Sequence, residues 1–141
     1  MAERRVLVDT GPIVALMSAN DEHHQRCSGT LAVLKPPLLT CWPVLTEAAW
    51  LLRSQPAALD KLFAAFDAGL FALLSLDADA VSWVGAFMRR YEASSIQLAD
   101  AALAYLAERE SIRAVFTLDR RDFSIIRLKR NRTLKIIPEP L

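Results

Sequence analysis

The stretch Arg5-Val6-Leu7-Val8-Asp9-Thr10-Gly11-Pro12 decides how the chain is read. Its apolar run is short, rich in valine and not interrupted by polar residues, which is the pattern of a strand buried on both faces. Asp9 closes the run, and Gly11-Pro12 turns the chain into an apolar helical stretch that reaches Met17.

Outward from this opening, strands and helices alternate. Asp21-Glu22 place negative charge where a helix start favours it, and that helix is expected to pass Cys27 and Gly29 and end near Leu34. Pro36-Pro37 is the sharpest break. Leu38 to Cys41 reads as a second strand, and Pro43 sits in the first turn of a helix over Val44 to Arg53. Ala57 to Ala68 carries Leu59, Leu62, Phe63 and Phe66 at helical spacing, and Gly69 stops it. Phe71 to Leu76 is a third strand, after which Asp77 caps a helix bearing Val81, Val84, Phe87 and Met88. Ser94 or Ser95 caps another helix, running through Arg109. Arg113 to Thr117 and Leu134 to Ile137 complete the strands. This alternation predicts an α/β fold in one domain over residues 1–141, with a parallel sheet of about five strands between helices.

The composition fits a folded domain: 53% of the 141 residues are apolar and 23% charged. No apolar run approaches the roughly 18 residues that a membrane helix needs. Met1 to Arg5 leads into only three apolar residues before Asp9, which argues against a secretory leader. Cys27 and Cys41 form neither a CxxC pair nor a disulfide framework, so a reducing cytoplasm is the expected location. A net charge of +1 selects no partner, but nine of the 17 basic residues fall between Arg109 and Lys135. Arg127, Lys129 and Arg130 belong to the densest part of that run. They are candidate contacts for a nucleic-acid backbone, with a solvated surface as the equal alternative.

Four acids occupy positions that an ordinary core would not choose. Asp9 ends the first strand, and ligands of open parallel sheets bind outside the carboxyl ends of the strands. Glu47 shares a helical face with Val44, Trp50 and Leu51; Asp100 shares one with Ile96, Leu103, Ala104 and Ala107. A carboxylate in an apolar stripe is costly to bury unless something charged or hydrogen-bonding meets it. Asp119 follows the fourth strand, on the same side as Asp9 in a parallel sheet. Singly, each acid has a structural account as a cap, a turn or an edge residue. Together they would repel one another, and a hard divalent ion resolves the repulsion. Thr10, Thr117 and Asp122 are secondary candidates around the same point. His23-His24 lacks further ligands at zinc spacing and reads as a solvated helix start. Trp42, Trp50 and Trp83 read as core or interface residues. Phe63, with Leu62 and Phe66, reads as core or as a patch for a partner.

The ordered set Val8-Asp9-Thr10-Gly11-Pro12, Thr46-Glu47-Ala48, Leu98-Ala99-Asp100-Ala101 and Thr117-Leu118-Asp119-Arg120-Arg121-Asp122-Phe123 resembles that of the PIN-domain nucleases. Among them it is similar to the small VapC-type toxins of toxin–antitoxin pairs, over nearly the whole chain. The resemblance implies a three-layer α/β/α domain and Mg²⁺- or Mn²⁺-dependent cleavage of RNA. It also implies an acidic metal site of Asp9, Glu47, Asp100 and Asp119, a homodimer, and a small antitoxin partner. Two other readings stand beside it. One is a Mg²⁺-dependent hydrolase of small phosphate esters, although an aspartyl-phosphate mechanism favours a second Asp where Gly11 stands. The other is a non-catalytic RNA-binding scaffold.

Overall fold

Val6, Leu7 and Val8 form β1 (Val6–Val8), and all three are buried, as a strand covered on both faces must be. The computed structural model describes residues 4–140, so Met1 to Glu3, on which the expectation about a leader partly rests, lies outside the described residues. After β1 come α1 (Thr10–Met17), α2 (His24–Leu31), β2 (Leu38–Thr40), α3 (Trp42–Leu51), α4 (Pro56–Asp67) and β3 (Phe71–Leu73). Then follow α5 (Asp79–Arg90), α6 (Leu98–Glu110), β4 (Ala114–Phe116), α7 (Arg120–Ile125), a 3₁₀ turn at Lys129–Asn131 and β5 (Lys135–Ile137).

The five strands make one sheet in the order β3-β2-β1-β4-β5, every neighbouring pair parallel. The expected parallel α/β fold is therefore borne out, as a three-layer α/β/α arrangement. The chain winds outward from β1 through β2 to β3, then returns to place β4 on the other side of β1. The strand order thus reverses between β1 and β4, and a crevice opens there at the carboxyl ends of both strands. Register brings Val8 level with Phe116, and the Asp9 N–H donates to the Phe116 carbonyl at 2.9 Å.

Leu7, Val8, Val115 and Phe116 at the centre of the sheet are fully buried, with Leu103, Leu106 and Ala107 of α6 and Ile13 of α1 in the same core. Each such aliphatic or aromatic side chain contributes roughly 1.5 to 3 kcal/mol through burial. Helix α1 packs against α2, α3 and α4, while α6 packs against α5 and α3.

Several boundaries differ from the sequence reading for local reasons. Helix α2 spans His24–Leu31, shorter at both ends than expected, because the Asp21 carboxylate accepts the His23 N–H at 2.8 Å in a turn before it. Neither Ser94 nor Ser95 caps α6. Gln97 does, in a capping box in which its side chain and that of Asp100 each accept the other's backbone N–H. Helix α7 was not anticipated: Asp119 accepts the Asp122 N–H at 3.0 Å and starts it. Gly69, at φ 83°, follows α4 in the left-handed conformation that suits glycine beyond a helix end.

Trp42 and Trp50 are not core residues, each being 62% exposed, and Trp83 is half-buried in an aromatic stack. Of the α4 residues, Leu62 is buried and Phe63 is 48% exposed. His24 is not a freely solvated residue: its Nδ1 bonds the Ala15 carbonyl at 2.6 Å, tying α2 to α1.

Candidate carboxylate site

At the β1/β4 crevice lies a cleft of about 540 Å³ lined by Asp9, Glu47, Asp100, Asp119 and Asp122, together with Thr10, Gly11 and Ser95. Five acids from four separate stretches of chain meet here, and no Lys, Arg or His lines the cleft. The cleft includes all four principal acids expected from the sequence, plus Asp122 and Thr10. Thr117 stands just beneath, buried.

Each acid is held by a different device. Asp9 occupies the N-cap position of α1 without capping it. Its Oδ2 instead accepts the Thr117 hydroxyl at 2.8 Å. That same hydroxyl oxygen accepts the Asp119 N–H at 2.9 Å, so one threonine positions two acids. Asp100 is the third residue of α6, and its Oδ2 accepts the Gln97 N–H at 2.9 Å. Asp119 spends one oxygen on the start of α7. Asp122 accepts the Ser95 hydroxyl with both oxygens, at 2.9 and 2.7 Å. Glu47 stands half-buried on α3 at the open side of the cleft. Gly11 lies close beneath Leu118, whose Cδ1 would stand 3.4 Å from an added Cβ.

The electrostatics are those of crowded anions. Burial pushes the Asp9 carboxyl up to about 6, offset in part by the Thr10 N–H and the Thr117 hydroxyl, with Glu47 and Asp119 raising it further. Burial pushes Asp100 up to about 7, against the Gln97 N–H, with Asp9, Asp119 and Asp122 adding to the rise. Asp119 is raised as well, first by burial and then by its neighbour Asp122. Beside these acids the Thr10 hydroxyl is buried with no hydrogen-bond partner. Such a group is costly to bury unless a ligand or water meets it.

The donor set suits a hard divalent ion: it is all oxygen, anionic, and without a lining cation to neutralise it. Among the described residues, no three His, Cys, Asp or Glu side chains converge into a ready-made cage. Mg²⁺ needs none, because it takes one or two carboxylates and fills its shell with water and substrate phosphate.

A PIN domain family model matches residues 6–129. The chain belongs to the PIN domain family. Over 124 residues this PIN domain is 26% identical to Ribonuclease VapC26 of Mycobacterium tuberculosis (strain ATCC 25618 / H37Rv), covering 86% of the chain and 92% of the relative. In fold it is similar to the crystal structure of M. tuberculosis VapC20, described as a Sarcin-Ricin loop cleaving toxin. That match has a TM-score of 0.72 at 22% identity and covers 82% of this chain and 91% of the other. It is also similar to a chain of VapBC2 from Rickettsia felis, solved bound to a DNA fragment from their promoter. There the TM-score is 0.62 at 13% identity, covering 93% and 97%.

Two features of this PIN domain's site were not read from the sequence. Ser95 was taken as a helix cap, and its role as the partner of Asp122 is visible only in three dimensions. Gln97 was not singled out, although Gln97-x-x-Asp100 is a capping-box spacing. Arg127, Lys129 and Arg130 are absent from the cleft lining. The basic run is also partly structural: Arg109, Arg120, Arg127 and Arg132 each donate to backbone carbonyls.

Proposed function

We propose that this PIN domain is a metal-dependent endoribonuclease that hydrolyses RNA phosphodiester bonds, the toxin of a toxin–antitoxin pair. The observation that carries the reading is the cleft of five acids without a lining cation at the switch point of the sheet. Asp9, Glu47, Asp100 and Asp119 are the proposed metal-holding and catalytic residues. Thr10 offers its unpartnered hydroxyl to a bound phosphate oxygen, Thr117 positions Asp9 and Asp119, and Asp122 lends charge. A Mg²⁺ or Mn²⁺ ion bound there would supply Lewis-acid stabilisation of the charge that develops on the reacting phosphate. Burial and crowding raise the Asp9 and Asp100 carboxyls in the metal-free site, and a bound divalent ion would hold both ionised, leaving carboxylate oxygens to orient an attacking water.

The relatives named VapC support the RNA substrate, and the VapBC relative supports an antitoxin partner. We take residues 1–141 as one domain, since β5 lies beyond the family match and yet completes the sheet beside β4. A cytoplasmic location goes with this reading: Cys27 and Cys41 are free and buried, and burial pushes both thiols up to about 11. No helix among the described residues is long and apolar enough to cross a membrane.

A homodimer accounts for a face beside the cleft where Trp42, Trp50, Leu51 and Leu98 of α3 and α6 are all about half exposed or more. With Trp50→Glu and Leu98→Glu the dimer separates into folded monomers in light scattering; an unchanged mass removes this face from the interface.

The deciding experiment incubates total RNA with the protein and Mn²⁺ or Mg²⁺, with EDTA and with Asp9→Asn or Asp100→Asn. Cleavage lost in all three controls supports the reading. Turnover of a chromogenic phosphate ester without RNA cleavage overturns it in favour of a small-ester hydrolase. RNA binding without cleavage leaves a scaffold.

A further inference from the structure

A second hollow lies away from the carboxylates, between α5, α6 and the segment that follows α7. It encloses about 490 Å³ and is lined by Trp83, Phe87 and Arg90 of α5, Glu108 of α6, and Arg127 and Lys129. Its floor is aromatic. Trp83 stacks on Phe87 with ring centroids 5.0 Å apart, and Phe87 packs on Tyr91 at 4.7 Å. Its rim is cationic. Arg90 lies over the Tyr91 ring at 4.9 Å, and Lys129 is exposed on the opposite bank. Glu108, the one acid in the lining, is already engaged: it accepts the Lys129 backbone N–H at 2.7 Å.

The hollow and the cleft share no lining residue, and helix α7 links them along the chain. Helix α7 carries Asp122 at the cleft, and Arg127 lines the hollow just beyond the same helix. Tyr91, at the end of the aromatic row, accepts the Arg127 N–H at 2.9 Å, and the chain runs from Tyr91 directly to Ser95 in the cleft wall. Six helical residues span roughly 9 Å.

We propose that this groove is a second substrate site that holds single-stranded RNA to one side of the cleavage point. Phosphates meet Arg90 and Lys129, and a base packs on the exposed part of Trp83, which buried Phe87 backs. The inference rests on the ribonuclease reading above. The pairing of aromatic surface with flanking cations is the chemistry of sequence-tolerant strand binding. An acidic peptide would match the charge alone, and the aromatic floor beside those cations favours RNA.

The test uses fluorescein-labelled oligouridylates of 3 and 12 nucleotides, bound to the full chain carrying Asp100→Asn so that RNA is not consumed. Addition of Arg90→Ala with Lys129→Ala is expected to weaken the 12-mer about tenfold and the 3-mer far less. The slope of log affinity against log salt should fall by about 1.4, or about 0.7 for each lost phosphate contact. Lys129→Ala leaves intact the backbone bond to Glu108, and Arg90→Lys should restore most of the affinity. Trp83→Leu should weaken the 12-mer without changing the salt slope.

Cleavage by the protein with Asp100 intact is followed in parallel. If it cleaves RNA while the double change leaves 12-mer affinity and salt slope as they were, the groove is not an RNA site and the ribonuclease reading stands. If it neither binds nor cleaves RNA, both fall. If a hexaglutamate peptide binds and the double change abolishes that binding alone, the groove docks a protein segment and the RNA inference is overturned.

Discussion

Thr117 and Asp9 lie 108 residues apart in sequence, and a 2.8 Å hydrogen bond from the threonine hydroxyl to the aspartate Oδ2 joins them at the ends of adjacent parallel strands. Because the same oxygen accepts the Asp119 N–H, this side chain sets the separation of two acids contributed by different strands. A hydrogen bond to a charged group is worth roughly 1.5 to 3 kcal/mol. Thr117→Val, nearly equal in volume, is therefore expected to lower Mn²⁺ affinity and kcat/KM by about tenfold or more. The pH profile should move upward, because Asp9 loses the donor that favours its ionised form. Calorimetry and a pH–rate curve check this; parental values for both would deny Thr117 a positioning role.

The raised carboxyls make stability depend on pH in a defined direction. Asp9 and Asp100 rise from 3.8 to about 6 and about 7 in the folded protein. Between those limits the metal-free folded state binds more protons than the unfolded chain. Its stability therefore falls as pH rises from about 4 to about 7 and levels off above that. Asp9 alone accounts for about 3 kcal/mol, at about 1.4 kcal/mol per pH unit. Thermal melts in EDTA at pH 5 and pH 7.5 should show the loss. Asp9→Asn should reduce it and raise the melting temperature at pH 7.5, and Mn²⁺ should stabilise the parent far more than this variant.

Ser95 tests the contribution of Asp122. Its hydroxyl reaches both carboxylate oxygens, and Asp122 is buried. Ser95→Ala strips a buried anion of its side-chain donor, at a cost of about 1 to 3 kcal/mol. Denaturant unfolding measures the cost. If stability holds, Asp122 is satisfied by its surroundings without Ser95.

The arginines near the C-terminus divide by role. Arg132 donates to the Ile112 and Ala107 carbonyls at 2.8 and 2.9 Å, closing the end of α6. Arg130 is exposed. Arg132→Ala should cost about 1 to 3 kcal/mol, because the Ile112 carbonyl loses its donor while the Ala107 carbonyl keeps the Ile112 N–H. Arg130→Ala should stay within about 0.5 kcal/mol, as surface changes do. Equal effects in urea melts would mean that the two act alike.

Much of this was legible because it is local. The unbroken valine-rich run of β1, Gly69 after α4 and the strand–helix alternation each depend on neighbours within a few residues. The four principal acids were legible for the same reason: Asp9 follows β1 directly, Asp119 stands in the loop just after β4, and Glu47 and Asp100 interrupt apolar helical stripes. Boundaries slipped where side chains compete with the backbone, as at Asp21 before α2 and at Asp119 before α7. The tryptophans read equally as core or interface, because hydrophobicity alone does not say whether a helix face will meet another helix.

By itself, then, the sequence determined the class of fold and the identity of the acids, since periodicity and residue type are properties of short stretches. Only the tertiary structure decided that β4 pairs with β1, which carries Asp119 to Asp9. It alone gave Thr117 and Ser95 their partners and left the Thr10 hydroxyl without one. It also separated the basic groove from the acidic cleft and tied Arg109, Arg120 and Arg132 to backbone carbonyls of distant segments. These are contacts between residues tens of positions apart, set by how strands register and helices pack, and no local pattern encodes them.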